Sequence, residues 1–170
     1  PPKLFGTQKS KKSKISIQNM PYNIVLIEPE IPNNTGNIGR ISLGTASHLH
    51  LVKPFGFELS DSRLKRAGLD YWKHIQCTIY ESVEDFFEQH DAKKMAFLSS
   101  NATKDYLEIP YEDDLFLIFG KESVGLCAEI LKNHPTQLYK IPLYSEHIRS
   151  LNLANAVSIV VYEGLRNLKH

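Results

Sequence analysis

The stretch Arg149-Ser150-Leu151-Asn152-Leu153-Ala154-Asn155-Ala156-Val157 puts a cation, a hydroxyl and two amides at the opening of an otherwise apolar helix. A helix that only filled a core would need none of them. From Leu153 onward, Leu153, Ala156, Val157, Val160, Val161, Leu165 and Leu168 recur at helical spacing and predict one buried stripe. Asn152, Asn155 and Arg166 fall off that stripe. Ser150 is the expected N-cap, its hydroxyl accepting a hydrogen bond from a first-turn N–H. Capping leaves Arg149 unexplained, because a cation beside the positive end of a helix dipole is unfavourable unless an anion joins it. This helix start therefore reads as an anion or nucleotide site.

Two other segments carry similar chemistry. Glu28-Pro29-Glu30-Ile31-Pro32-Asn33-Asn34-Thr35-Gly36-Asn37-Ile38-Gly39-Arg40 reads as a loop stiffened by two prolines, with polar Asn and Thr side chains and with glycines that permit close packing or a close ligand. Arg40 can meet a phosphate or a surface carboxylate. In Phe119-Gly120-Lys121-Glu122-Ser123-Val124-Gly125-Leu126, Gly120 lets a ligand approach the backbone or simply makes a turn, and Glu122 adds a carboxylate. Gly36, Gly39 and Gly44 do not have the GxGxxG spacing of dinucleotide sites, and no GxxxxGK[ST] phosphate loop is present.

The elements that must position these groups alternate. Ile24–Ile27, Leu49–Val52, Met95–Leu98, Leu115–Phe119 and Leu138–Ile141 are short apolar strand candidates, while segments near 37–46, 62–67, 82–90, 125–133 and 150–168 have helical patterning. A βαβα order predicts an α/β fold, with a mainly parallel sheet and helices on both faces. Its ligand site belongs in the loops beyond the strand carboxyl ends. The three polar segments, the last entered through Ile141-Pro142, fall in such loops.

Composition bounds the rest. With 170 residues, 42% of them hydrophobic and 23% charged, the chain suits one domain with a sizeable core, expected over residues 21–170. No apolar run approaches the roughly 18 residues of a membrane span, and no secretory leader is evident, so a cytoplasmic protein without membrane partners is expected. Cys77 and Cys127 lack zinc-ligand spacing and read as reduced thiols with packing roles; no metal is expected. His48 and His50 share a strand face and read as packed or surface groups.

Net charge is +1, unevenly distributed. Five lysines precede any acidic residue, so residues 1–20 read as a basic flexible N-terminal arm, free in solution or touching phosphates. A second cluster, Arg63, Lys65, Arg66 and Lys73, is interleaved with Tyr71 and Trp72. Cations beside stacking rings suit single-stranded RNA, and a solvated helix face has the same composition.

Asn34–Arg40, Phe119–Leu126, and Ile141-Pro142 with Arg149–Val157 together resemble the three motifs of the SPOUT superfamily of RNA 2′-O-methyltransferases. The likeness spans about residues 22–168 and is greatest to the compact TrmL/YibK type, the tRNA (cytidine/uridine-34) 2′-O-methyltransferases. Leu26–Pro32 and Arg63–Tyr71 share it. The resemblance implies a C-terminal deep trefoil knot, a homodimer with the first and last helices and Tyr162 at its interface, and methyl transfer from S-adenosyl-L-methionine to the wobble ribose of tRNA. It implies a cofactor held largely by the main chain at Leu98, Gly120, Ile141 and Ser150, and catalytic positions at Asn34, Arg40, Glu122, Ser150 and Asn152. Arg40, Arg63, Arg66 and Arg149 are the implied RNA-binding cations. A guanidinium stays protonated, so Arg40 is expected to clamp a phosphate and orient the ribose rather than act as a base. Gly39 departs from the family, which often carries a larger aliphatic residue there, and the Leu143–Ile148 loop is slightly longer. The alternatives are a relative that methylates another tRNA or rRNA ribose, and an inactive knotted RNA-binding module.

Overall fold

The apolar runs form a sheet because both of its faces are covered, which is why they are continuous rather than alternating. In β1 (Tyr22–Ile27) every residue is buried; Tyr22, Ile24 and Leu26 enter one core, Val25 and Ile27 the other. The remaining strands are β2 (His48–Val52), β3 (Cys77–Tyr80), β4 (Met95–Leu98), β5 (Lys104–Asp105), β6 (Leu115–Phe119) and β7 (Leu138–Lys140). They lie in the order β3-β2-β1-β6-β4-β7-β5, with every neighbouring pair parallel. The coordinates are a computed structural model that describes residues 21–60, 62, 66 and 71–168. The basic arm expected over residues 1–20 and the cation Arg63 lie outside the described residues.

The layers are completed by α1 (Pro32–Gly44), α2 (Val83–Gln89), α3 (Ala128–Asn133) and α4 (Leu153–Leu168). Ile38 of α1 and Val157, Val160 and Val161 of α4 join the core on one face, and Phe86 of α2 and Ile130 of α3 join the other. Each fully buried valine of α4 contributes about 1.5–3 kcal/mol relative to exposure. This is the mainly parallel α/β architecture expected from the βαβα order.

Several boundaries differ from the expectation, each for a local reason. α1 starts at Pro32, so Asn34, Thr35 and Gly36 are helical rather than part of a loop. Proline is favourable at a first helical position, where its missing N–H costs nothing, and the Ile31 carbonyl accepts from the N–H groups of Asn34 and Thr35. α3 starts at Ala128, after Gly125 has turned the chain at φ +73°. β3 and β5 were not expected: β3 is a half-exposed edge strand, and β5 is a two-residue polar strand whose pairing with β7 no periodicity reveals. Ser150 does not cap α4. Asn152 does, its amide oxygen accepting from the N–H groups of Ala154 at 2.9 Å and Asn155 at 3.3 Å. Serine and asparagine cap equally well, so residue type could not tell the two apart.

From β1 the chain moves outward through β2 to β3, then crosses to the far side through β4, so β1 and β6 flank the point where strand order reverses. The carboxyl ends of strands at such a point form a natural crevice.

Candidate active site

A cleft of about 480 Å³ lies in this crevice, within the range of roughly 300–1,000 Å³ usual for small-molecule sites. It is walled by the segments that follow β4, β6 and β7 and by the start of α1. Asn34, Leu98, Gly120, Glu122, Ile141, Arg149, Ser150 and Asn152 all line it. Ser99, Ser100 and Asn101 line it as well. Sequence reasoning passed over them, although they follow an apolar strand candidate as the other cleft segments do.

Hydrogen bonds tie the walls together. The capping Asn152 donates through Nδ2 to Asn34 Oδ1 at 3.0 Å, and Asn34 donates through Nδ2 to Glu122 Oε1 at 3.3 Å. Asn34 is buried, so both ends of its amide are engaged where water has little access. The Glu122 carboxylate also accepts from the backbone N–H groups of Glu30, at 2.8 Å, and Ile31, at 3.0 Å. In return, Glu30 accepts from the Ser123 N–H at 2.9 Å. Hydrogen bonds from the Ser123 hydroxyl and backbone hold the Glu30 carboxyl below its usual range. Lys121 donates to Glu28 at 3.0 Å, and that bond and the carboxylate charge raise its pKa. The segments after β1 and β6 thus clasp each other reciprocally.

This clasp bears on two residues of the cleft. Arg149 does not meet Glu122, whose oxygens are taken by Asn34 and the backbone; Arg149 is exposed at the cleft wall. Gly120 answers to the chain itself: a Cβ there would lie 2.1 Å from the carbonyl carbon of Gly125 and 2.2 Å from the Leu126 nitrogen. The glycine is required by a backbone crossing, whatever the ligand.

The remaining cations lie elsewhere. Arg40 is exposed on α1 and is not part of the cleft wall; its guanidinium carbon sits 5.5 Å from the centre of the Tyr71 ring. Arg66 is exposed and helical. Nearer the amino ends of β1 and β2, His48 and His50 stack with ring centres 4.2 Å apart. His50 Nε2 bonds Asn23 Oδ1 at 2.9 Å, and its Nδ1 bonds the Tyr80 hydroxyl at 2.8 Å, which also bonds His90 Nε2 at 2.8 Å. The Asn23 oxygen can only accept, so His50 carries its proton on Nε2 and Tyr80 donates to Nδ1. Burial, then the neighbouring His48 and His90, push the His50 pKa down to about 3. Among the described residues no three potential ligands form a metal-binding group.

A profile described as the SpoU rRNA Methylase family matches residues 21–162. The chain belongs to this family. The tRNA (cytidine(34)-2′-O)-methyltransferase of Escherichia coli strain K12 is 44% identical over 147 residues, which are 86% of this chain and 93% of that protein. A solved structure described as "Structural insights into the 2-OH methylation of C/U34 on tRNA" superposes with a TM-score of 0.81 at 38% identity, covering 88% of this chain and 97% of that one. An AdoMet-bound rRNA methyltransferase from Sinorhizobium meliloti gives a TM-score of 0.79 at 25% identity, over 90% of this chain and 59% of that one. The SpoU methylase chain described here thus shares both frame and sequence with tRNA-modifying relatives.

Proposed function

We propose that this SpoU methylase transfers a methyl group from S-adenosyl-L-methionine to the ribose 2′-hydroxyl of the wobble nucleotide, cytidine or uridine 34, of tRNA. What carries the reading is the cleft that Asn34, Gly120, Glu122, Ser150 and Asn152 share, in a chain that is 44% identical to a cytidine-34 methyltransferase over 86% of its length. The cleft suits that donor chemically. Leu98, Ile141, Leu143 and Leu153 offer apolar surface for a purine, and Ser99, Asn101 and Ser150 offer polar groups for the ribose and amino-acid end. When bound, the donor supplies an electrophilic methyl group on a sulfonium.

This chain's part is to bind and align. The main chain at Leu98, Gly120, Ile141 and Ser150 holds the cofactor. Because direct displacement requires the hydroxyl in line with the methyl–sulfur bond, fixed geometry provides much of the acceleration. The Asn152–Asn34–Glu122 chain of hydrogen bonds supplies it by locking three walls in one arrangement. Arg149, exposed at the cleft wall, meets an RNA phosphate. Arg40 clamps another phosphate and leaves the proton of the 2′-hydroxyl to an acceptor on the substrate.

Arg40 stands outside the cleft wall of its own chain, and this favours a homodimer in which it serves the partner's cleft. α1 and α4 pack side by side. Each leaves apolar surface exposed, at Leu43 three residues beyond Arg40 and at Ile159 and Tyr162. The knotted threading of the C-terminal segment and a cytoplasmic location belong to the same reading; no helix among the described residues is long and apolar enough to cross a membrane.

The test is transfer of labelled methyl to tRNA lacking wobble ribose methylation, with mass-spectrometric mapping of the product. Methylation at nucleotide 34 is expected. Methylation only of another tRNA or rRNA ribose would overturn the substrate assignment. Thermal stabilisation by S-adenosylhomocysteine without transfer to any RNA would indicate an inactive binding module.

A further inference from the structure

We propose that Tyr71 is a positioning residue for methyl transfer, its ring face holding the Arg40 guanidinium so that the in-plane N–H donors remain open to an RNA phosphate. The inference deepens the proposed function and rests on it. It starts from the contact itself: the Arg40 guanidinium carbon lies 5.5 Å from the centre of the Tyr71 ring, within the roughly 6 Å over which a cation is drawn to an aromatic face. Among the described residues, no hydrogen bond or ion pair involves the exposed Arg40 side chain. A guanidinium drawn to a ring face needs none of its N–H donors for that contact, whereas a carboxylate partner would occupy the edge that matches a phosphate.

The ring is in turn fixed to the helix that carries Arg40. After Tyr71 the chain makes a 3-10 turn, Trp72–His74, closed by the His74 N–H on the Tyr71 carbonyl at 2.8 Å. Trp72 then packs against Gly39, the residue before Arg40. A Cβ on Gly39 would lie 2.7 Å from Trp72 Cζ3 and 2.8 Å from Ile75 Cδ1. The absent side chain at 39 is the space the indole and Ile75 occupy, which gives the Gly39 departure a structural reason. Gly39-Arg40 and Tyr71-Trp72 therefore dock as a pair of neighbouring residues on each side, one contact apolar and the other cationic. Burial raises the Tyr71 pKa, and the nearby positive charge of Arg40 opposes the rise.

A flexible arginine samples many orientations, and only a fraction place its donors on the phosphate. Stacking raises that fraction without adding a contact to the RNA. The test is steady-state methylation of tRNA by the protein carrying Tyr71→Leu, Tyr71→Phe, or mono-, di- and trifluorophenylalanine at position 71. Tyr71→Leu is expected to lower kcat about 3- to 30-fold, the range set by cation–π contacts from exposed to desolvated settings, with KM for S-adenosylmethionine unchanged. Tyr71→Phe retains most of the turnover, and the fluorinated series, which keeps the ring shape and drains its negative face, lowers kcat stepwise.

A flat fluorination series overturns the proposal. Loss in Tyr71→Phe equal to that in Tyr71→Leu would assign the role to the hydroxyl and overturn it too. Should Tyr71→Leu not fold, the fluorinated series alone decides. Full turnover by Arg40→Ala would instead sink the clamp role of Arg40, a failure of the underlying reading distinct from any of these.

Discussion

Replacing Asn34 by aspartate tests the hydrogen-bonded wall of the cleft most directly, because the change is nearly isosteric and alters only what the amide nitrogen does. That nitrogen donates to Glu122 Oε1 at 3.3 Å, while the amide oxygen accepts from Asn152. In Asn34→Asp a second carboxylate oxygen faces Glu122. Two unit charges 3.3 Å apart repel by about 5 kcal/mol at an effective dielectric of 20. Glu122 is partly exposed, so solvent screening reduces this to about 2–3 kcal/mol. With about 1 kcal/mol for the lost hydrogen bond, the total destabilisation is about 3–4 kcal/mol at pH 8. Asn34→Ala removes both bonds without adding charge and costs about 2–3 kcal/mol.

The distinguishing signature is in the pH dependence. Repulsion raises the pKa of the introduced carboxyl from near 3.9 to about 6. The added penalty is therefore full above that value and shrinks as pH falls through it, because the protonated acid can donate to Glu122 again. Urea denaturation at pH 8 and pH 5 should show the gap between Asn34→Asp and Asn34→Ala narrowing by about 1 kcal/mol. A gap that stays constant, or an Asn34→Asp protein no less stable than Asn34→Ala at pH 8, would refute the claim that Asn34 donates to an ionised Glu122.

The dimeric reading of Arg40 predicts complementation: an Arg40→Ala subunit and an Ile141→Trp subunit, each inactive as a homodimer, should regain one working cleft of two as a purified heterodimer, whereas no turnover would assign Arg40 to its own cleft. Arg40→Ala alone should abolish methyl transfer while calorimetry shows S-adenosylhomocysteine affinity unchanged; an equal loss of affinity contradicts the clamp. His50, pushed down to about 3, binds a proton in the unfolded chain before the folded one, so its contribution is complete above about pH 6.5 and declines toward pH 3. Denaturation between pH 6.5 and 5 should show about 2 kcal/mol of loss from this residue, a slope that His50→Phe removes. Gly120→Ala, whose Cβ would strike backbone at 2.1 Å, should lower both stability, by at least about 1–3 kcal/mol, and cofactor affinity; wild-type melting would contradict the crossing.

Several residues that line the candidate cleft were legible because they violate the patterns around them. Arg149 beside a helix start, Glu122 after a fully apolar strand and the amides at 34 and 152 lack a core role, and strand carboxyl ends are where parallel sheets gather ligands. What stayed hidden depends on partners distant in the chain. The cap could be Ser150 or Asn152 by residue type; only the turn at Leu153 decides. Gly120 gave no sign that its neighbour would be the chain's own Gly125, and Gly39 none that Trp72 would fill its place. The Asn-rich start of α1 has a loop's composition, yet Pro32 and the Ile31 carbonyl make it helical. β5 is too short to carry any period.

The bonds that close the cleft join residues 88 to 118 positions apart in the chain. Contacts of such high order form late in folding, since the entropy of closing long loops must be met before they stabilise anything. A chain still lacking Asn152 has strands and helices to assemble but no wall opposite Asn34. Cofactor affinity is then a property of the finished molecule alone, and ligand binding should protect the native state against unfolding without speeding its formation.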